Sequence, residues 1–280
     1  EQTKSIFVAI VGRPNVGKSS LLNRMVGEKV AIVTAKPQTT RTRITGILTR
    51  GAVQYVFLDT PGIHRPRTRL GERMAKATAD SVAEVDAVVM LFEPYGELTE
   101  AEQALVEDIR VKKVPALAAV NKTDTLKKET DLAVRMQFLE ELGVFRGVLP
   151  LCVSEDRGCT ELLDALLPFA VESPHYFPDD AYTDMPEKAL VAEVLREKML
   201  LNLRDEIPHG TAVTVERFKE RGDKDIIDID VNIYCEKKSH KGMIIGKGGQ
   251  MLKKIASEAR VECEEFLGAR VNLQCWVKIK

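Results

Sequence analysis

The stretch Ile6-Phe7-Val8-Ala9-Ile10-Val11-Gly12-Arg13-Pro14-Asn15-Val16-Gly17-Lys18-Ser19 decides how the first half of the chain is read. Ile6–Val11 is a short, wholly apolar run, the pattern of a strand buried on both faces. It passes directly into a glycine loop, and that loop opens an amphipathic helix over Ser19–Met25. Glycines there let backbone N–H groups close around an anion at a helix N-terminus, where the dipole also favours negative charge. Lys18 can neutralise the outer phosphates of a nucleotide, and the Ser19 hydroxyl can ligate Mg²⁺. The candidate phosphate contacts are Gly12, Asn15, Val16, Gly17, Lys18, Ser19 and Ser20.

Outward from this loop, apolar runs alternate with amphipathic ones. Val53–Leu58, Ala87–Phe92, Pro115–Val120 and Val148–Val153 read as further buried strands, with helices over Glu100–Arg110 and Glu161–Phe169. Strand–helix alternation implies parallel crossovers, hence an α/β doubly wound, mostly parallel sheet. Ile44–Leu58, broken at Arg50-Gly51-Ala52, reads as a hairpin that adds one antiparallel edge strand. Ligands of such sheets gather at the carboxyl ends of the strands. Two further elements fall there. Asp59-Thr60-Pro61-Gly62 offers a carboxylate for a metal's coordination shell and, at Gly62, an N–H that can sense a γ-phosphate. Asn121-Lys122-Thr123-Asp124 offers in Asp124 an acceptor pair matched to the side-by-side N1–H and 2-amino donors of guanine, which adenine lacks. Ser154 is placed to bring a backbone N–H to the guanine carbonyl, or else is an ordinary helix-flanking serine.

The second half has another pattern. Pro168, Pro174, Pro178 and Pro186 cluster with Asp179, Asp180 and Asp184, which predicts a connection at 173–184 between a first domain, 1–172, and a second, 185–280. After it come a helix over Pro186–Leu203, strands over Thr211–Arg217 and Asp225–Tyr234, a helix over Gln250–Leu267 and a strand over Arg270–Lys278. That α-β-β-α-β order describes a smaller α+β domain. Its glycine loop, Gly246-Lys247-Gly248-Gly249, matches the G-x-x-G element of KH domains, which lays nucleic-acid backbone against glycines and presents apolar residues to splayed bases. Six lysines and no acidic residue lie between Lys237 and Lys254. The candidate RNA contacts are Lys241, Ile245, Gly246, Lys247, Gly248, Gly249 and Lys253. Met251, Leu252, Ile255, Ala259 and Phe266 read as core packing.

With 41 Lys+Arg against 42 Asp+Glu, the chain carries a formal charge of −1, so nucleic-acid affinity must come from a local patch. Its apolar runs fall far short of the roughly 20 residues of a membrane span, and no signal-peptide core opens the sequence. Five cysteines without a C-x-x-C pair argue against a disulfide framework. The expectation is a cytoplasmic protein.

The nucleotide elements in this order resemble the Ras-like GTPases. Pro37-Gln38-Thr39-Thr40-Arg41, Asp59 to Gly62 followed by Ile63-His64, Tyr182-Thr183-Asp184 and Glu193 to Met199, with a KH domain at the end, resemble the bacterial Era GTPase family in particular. The resemblance implies GTP hydrolysis with Lys18, Thr40 and Gly62 as catalytic groups, and Mg²⁺ held by Ser19, Thr40 and Asp59, Thr39 being the alternative to Thr40. It also implies a K⁺ contact at Asn15, whose plain alternative is a loop-stabilising amide. Ile63 stands where Ras-type enzymes carry a water-orienting Gln, which implies slow intrinsic turnover. His64 reads better as a solvated loop residue than as a general base. Ser154-Glu155 departs from the family's usual Ser-Ala. On the RNA side the resemblance implies the 3′ end of small-subunit ribosomal RNA, with the nucleotide state gating the RNA domain during small-subunit assembly by a monomer. The lysine cluster leaves room for weak peripheral contact with the inner membrane face. Two other readings stay open: a nucleotide-sensing RNA clamp with negligible turnover, and a tRNA-modification GTPase, disfavoured because no modification domain or C-terminal catalytic cysteine is visible.

Overall fold

The computed structural model describes residues 2–28, 30, 44–59, 85–204, 207–222 and 225–280. The chain forms two compact units, with the division between Asp184 and Met185. The first is built on a sheet of strands β1 (Lys4–Gly12), β2 (Ile44–Arg50), β3 (Val53–Asp59), β4 (Ala87–Phe92), β5 (Ala116–Val120) and β6 (Gly147–Pro150) in the order β2-β3-β1-β4-β5-β6. Pairings along this path are parallel except β2 with β3, the expected hairpin, which closes from Arg50 opposite Val53. β4 and β5 are buried along their whole length, as strands covered on both faces must be. Helices α1 (Lys18–Val26), α2 (Glu100–Lys112), α3 (Glu129–Glu141) and α4 (Cys159–Leu166) accompany them. Thr99 and Glu102 close a reciprocal capping box that fixes where α2 begins. On one face of the sheet, Leu105, Val106 and Ile109 of α2 and Leu139 of α3 bury against Ala9, Val88, Met90, Phe92 and Ala118.

The structure corrects several expected elements. α3 was not anticipated: it buries only Arg135 and Leu139, so its apolar stripe is too narrow to read in the sequence. The strand expected over Val148–Val153 stops at Pro150, and Cys152 instead pairs its backbone with Arg157 in both directions at 3.0 Å. The helix expected to reach Phe169 ends at Leu166, and Pro168 restarts the chain as a short 3₁₀ turn.

Residues 173–184 lie along the first unit. A two-residue strand, β7 (Val171–Glu172), pairs antiparallel with β1 and turns the chain toward the β2–β3 edge. There Gln54, wholly buried, accepts from the N–H groups of Tyr176 (2.9 Å) and Phe177 (3.0 Å) and donates to the Phe177 carbonyl (2.9 Å). Phe7 meets the Tyr176 ring edge-on at 5.1 Å. Ile47 N–H donates to the Tyr182 carbonyl at 2.9 Å, and the Thr183 hydroxyl to the Thr45 carbonyl at 2.7 Å.

The second unit runs α5 (Glu187–Asn202), β8 (Ala212–Glu220), β9 (Ile226–Cys235), α6 (Lys238–Ile245), α7 (Gln250–Leu267), β10 (Arg270–Ile279). Its sheet has the order β10-β9-β8, with β10 parallel and β8 antiparallel to β9. Val191, Leu195 and Met199 of α5 and Ile255, Ala259 and Cys263 of α7 bury against Ile229, Val231 and Ile233. The glycine loop was expected between two helical segments, but the α-β-β-α-β order left out the first of them, α6, whose lysines, Gly242 and single fully buried residue, Ile244, give it almost no apolar period. None of the five cysteines is bridged.

Because Gln54 satisfies three backbone groups of the connecting segment, Gln54→Leu should strand them and destabilise the first unit by on the order of 2–4 kcal/mol. Urea unfolding should show the loss, and limited proteolysis should cut the 174–184 stretch faster. An unchanged midpoint with an unchanged cleavage pattern would mean that this segment is held by other contacts.

Candidate nucleotide site and nucleic-acid interface

β1, β3 and β5 all deliver their carboxyl ends to one edge of the sheet, bringing Gly12–Ser20, Asp59 and Asn121–Asp124 together. In the loop after β1 the Lys18 ammonium is buried, donating to the carbonyls of Gly12 (3.2 Å) and Arg13 (2.9 Å). Burial pushes it down to about 8, while Asp59 pulls the other way. Asp59 is wholly buried at the end of β3, where burial pushes its carboxyl up to about 6 against the opposing effects of Lys18 and the Ser19 hydroxyl. Ser19 Oγ donates to Asp59 Oδ2 at 2.6 Å, and Asp59 Oδ1 finds no hydrogen-bond partner among the described residues. A buried carboxylate oxygen without a donor, next to a hydroxyl and below a phosphate loop, is the donor set that suits a hard, oxygen-seeking divalent cation. Thr39, Thr40, Gly62, Ile63 and His64 lie outside the described residues.

Asn121, almost fully buried, ties the site together. Its Nδ2 donates to the Val16 carbonyl at 2.9 Å, and its Oδ1 accepts from the Val153 N–H at 3.2 Å. Gly17 must be glycine beside it: φ is 110°, and a Cβ would collide with Asn121 Nδ2. Lys122 reaches back to donate to the Asn15 carbonyl at 2.6 Å and pairs with Glu93 at 3.0 Å. Arg135 of α3 donates to the carbonyls of Glu93 (3.0 Å) and Gly96 (2.8 Å), fixing the loop that carries Glu93. Asn15 itself holds a left-handed backbone, φ 62°.

Asp124 is exposed at the mouth of the site and accepts from the thiol of Cys152 at 3.4 Å. The same sulfur lies 3.4 Å from Ser154 Oγ. Cys152 thus links the carboxylate expected to read guanine with the serine expected beside it. Glu155 pairs with Arg157, and its N–H donates to the Cys152 carbonyl at 3.2 Å, so the 152–157 turn closes on itself. Sequence reasoning missed Glu93, Arg135 and Cys152. Glu93 was findable as the polar residue that ends a buried strand at this edge, whereas Cys152 reads by default as a small buried hydrophobe.

In the second unit the glycine loop joins α6 to α7. Gly246 adopts φ 75°, and a Cβ there would meet the Met251 Cβ at 2.6 Å. Beside the loop a groove of about 370 Å³ runs between α7 and β10, lined by Gly249, Leu252, Lys253, Ala256, Ser257, Arg260, Leu273 and Cys275. Gly249 and Lys253 are the expected RNA contacts that line it; Lys241, Ile245, Gly246, Lys247 and Gly248 lie on α6 and the loop. Leu252, Ala256 and Arg260 repeat every four residues along α7, a periodicity that marks a second face next to the core stripe. Ile255 and Ala259 are buried, and Met251, Leu252 and Phe266 pack partly against the core, as the helix pattern suggested.

Known proteins match this arrangement over both units. Residues 7–122 match the family described as 50S ribosome-binding GTPase, and residues 206–280 match the KH domain family. GTPase Era of Clostridioides difficile strain 630 is 45% identical over 277 residues, 99% of this chain and 93% of the relative. GTPase Era of Caldicellulosiruptor saccharolyticus is 46% identical over 278 residues, 99% of this chain and 92% of the relative. Two solved Era structures superpose with a TM-score of 0.93 at 32% identity, covering 99% of this chain and 94% of theirs. One is an Aquifex aeolicus Era variant bound to GDP and tetrafluoroaluminate; the other is Era in complex with MgGDPNP and nucleotides 1506–1542 of 16S ribosomal RNA. With this identity across nearly the whole length of both partners, the chain belongs to the Era GTPase family.

Proposed function

We propose that this Era-family GTPase is a Mg²⁺-dependent switch that binds and slowly hydrolyses GTP, and whose nucleotide state sets how it holds single-stranded RNA near the 3′ end of small-subunit ribosomal RNA during subunit assembly. The observation that carries the reading is the presence on one chain of two built sites: the Lys18–Ser19–Asp59–Asn121–Asp124 edge and the glycine loop with its groove. The relative solved with 16S nucleotides supports the RNA target. The match described by the large subunit is confined to residues 7–122, the nucleotide half, and does not bear on the RNA half. No helix among the described residues is long and apolar enough to cross a membrane, and the Lys237–Lys254 cluster is assigned to RNA rather than to a membrane surface.

In this reading Lys18 exchanges its hold on the Gly12 and Arg13 carbonyls for phosphate oxygens. A buried ammonium whose charge is opposed by desolvation gains most from an anion placed beside it. Ser19 and Asp59 would hold the metal, which when bound supplies positive charge where the transferring phosphoryl group accumulates negative charge. Asp124 selects guanine through two parallel acceptors, steadied by the Cys152 thiol. Asn15 adds an amide oxygen for a monovalent cation near the phosphate bridge.

If Asp59 anchors the metal, chelating Mg²⁺ should weaken GTP-analogue binding to the wild-type chain roughly tenfold, about 1.4 kcal/mol, and should barely change binding to Asp59→Asn. Isothermal titration with and without chelator measures this, and equal sensitivity in both proteins would move the metal elsewhere. Turnover should be slow in sodium and faster in potassium, with Asn15→Ala removing the difference. A phosphate-release rate indifferent to the cation would leave Asn15 a loop-stabilising amide. The switch itself is tested by RNA affinity measured with a non-hydrolysable GTP analogue and with GDP. The two should differ by a factor of roughly 5 to 150, and linkage requires RNA to shift the ratio of nucleotide affinities by the same factor. Equal RNA affinities in the two states would leave two independent modules on one chain.

A further inference from the structure

β10 is one of the two edge strands of the second unit's sheet, and its side chains alternate between two faces. Leu273 and Cys275 turn toward α7 and line the groove beside the glycine loop. Trp276 turns the other way and is 46% exposed in the middle of the strand, with Gln274 and Lys278 exposed to either side of it. A tryptophan left this open on a regular strand offers a large ring to a partner. In register, Trp276 stands beside Asn232 of β9 and Lys278 beside Tyr234, and the Lys280 ammonium lies 5.5 Å from the centre of the Tyr234 ring.

The charges on this face are divided. At one end Asp228 is held by Arg221 at 2.7 Å and by Asn272 at 2.9 Å, and Asp230 faces Arg217 at 4.0 Å. Those carboxylates are compensated by their own neighbours. Farther out on β8, Glu216 accepts from Thr214 at 2.7 Å. The Trp276 end carries Lys278 and Lys280, and β10 contains no acidic residue. An open indole flanked by cations is the chemistry that binds a nucleobase by stacking and its phosphates by charge, with little demand on sequence.

We propose that the open sheet face centred on Trp276 is a second nucleic-acid contact, on which a base of the same RNA strand stacks after the strand leaves the glycine-loop groove and rounds the edge of β10. The inference rests on the RNA-binding reading above. Single-stranded RNA is the occupant because β10 serves both faces: one strand's width separates the groove lined by Leu273 and Cys275 from the ring of Trp276, so the platform continues the interface without a break.

Trp276 is the only tryptophan of the chain, so intrinsic fluorescence reports this one site. The full chain is titrated with single-stranded RNA oligonucleotides of about five and about twelve nucleotides, lengths chosen to fill the roughly four-nucleotide clamp of a KH glycine loop or to extend well beyond it. Both oligonucleotides should bind, and only the longer should quench the emission. Trp276→Ala should weaken the longer one by roughly five- to a hundredfold, the range of a lost base–aromatic stack, and leave the shorter unchanged, which also shows that the groove is still folded. Trp276→Phe should retain most of the affinity. Replacing Lys278 and Lys280 by Ala should reduce the salt dependence for the longer oligonucleotide only. If both oligonucleotides bind with no length-dependent quench and Trp276→Ala leaves the longer one's affinity intact, the platform is overturned while the groove stands. If neither binds, the RNA reading and the platform fall together.

Discussion

Asn121 spans three segments that are distant in sequence, joining the phosphate loop at Val16 to the turn after β6 at Val153 from the end of β5. Because its carboxamide is buried, losing either partner would leave a polar group unsatisfied, at roughly 1–3 kcal/mol. That cost makes the spacing of the three loops nearly a fixed quantity. Gly17 is compelled by it, since the amide occupies the volume a Cβ would need. Lys122, the next residue, reaches the Asn15 carbonyl and Glu93 from a segment whose start Asn121 holds. The geometry with which a phosphate and a base would be gripped at once therefore follows from one side chain and the five-residue strand that positions it.

Around that clamp the site holds groups that a folding core would not choose. Lys18 and Asp59 are both buried, and burial works against the charged form of each. Their mutual attraction offsets part of the cost. Places where local rules are broken without local compensation tend to be functional, and Asp59 Oδ1, without a hydrogen-bond partner among the described residues, is such a place.

Much of this was legible in the sequence. Ile6–Val11, Val53–Leu58, Ala87–Phe92 and Pro115–Val120 read as strands because parallel strands buried on both faces need unbroken apolar runs, and the hairpin at Gly51 was announced by its turn. The described motif residues Gly12–Ser20, Asp59 and Asn121–Asp124 converge because each group lies at or directly after the end of such a strand. What escaped was held by interactions that leave no periodic trace. α3 packs with a single buried leucine, and α6 is half lysine and glycine at its exposed end. Cys152 contributes through a thiol contact that composition cannot distinguish from ordinary packing. The groove beside α7 needed the strand register as well, since only pairing with β9 shows which side of β10 carries Leu273 and which carries Trp276.

The segment 173–184 was read as a connection, and its course along the first unit alters the polymer physics between the two units. A flexible tether of about twelve residues would have a root-mean-square span of roughly 20 Å, and the local concentration it imposes on whatever it links would follow chain statistics. With Tyr176, Phe177, Tyr182 and Thr183 bonded to β2 and β3, that statistical freedom is lost over most of the segment. The entropy of the connection is thus spent when the first unit folds, before any ligand arrives.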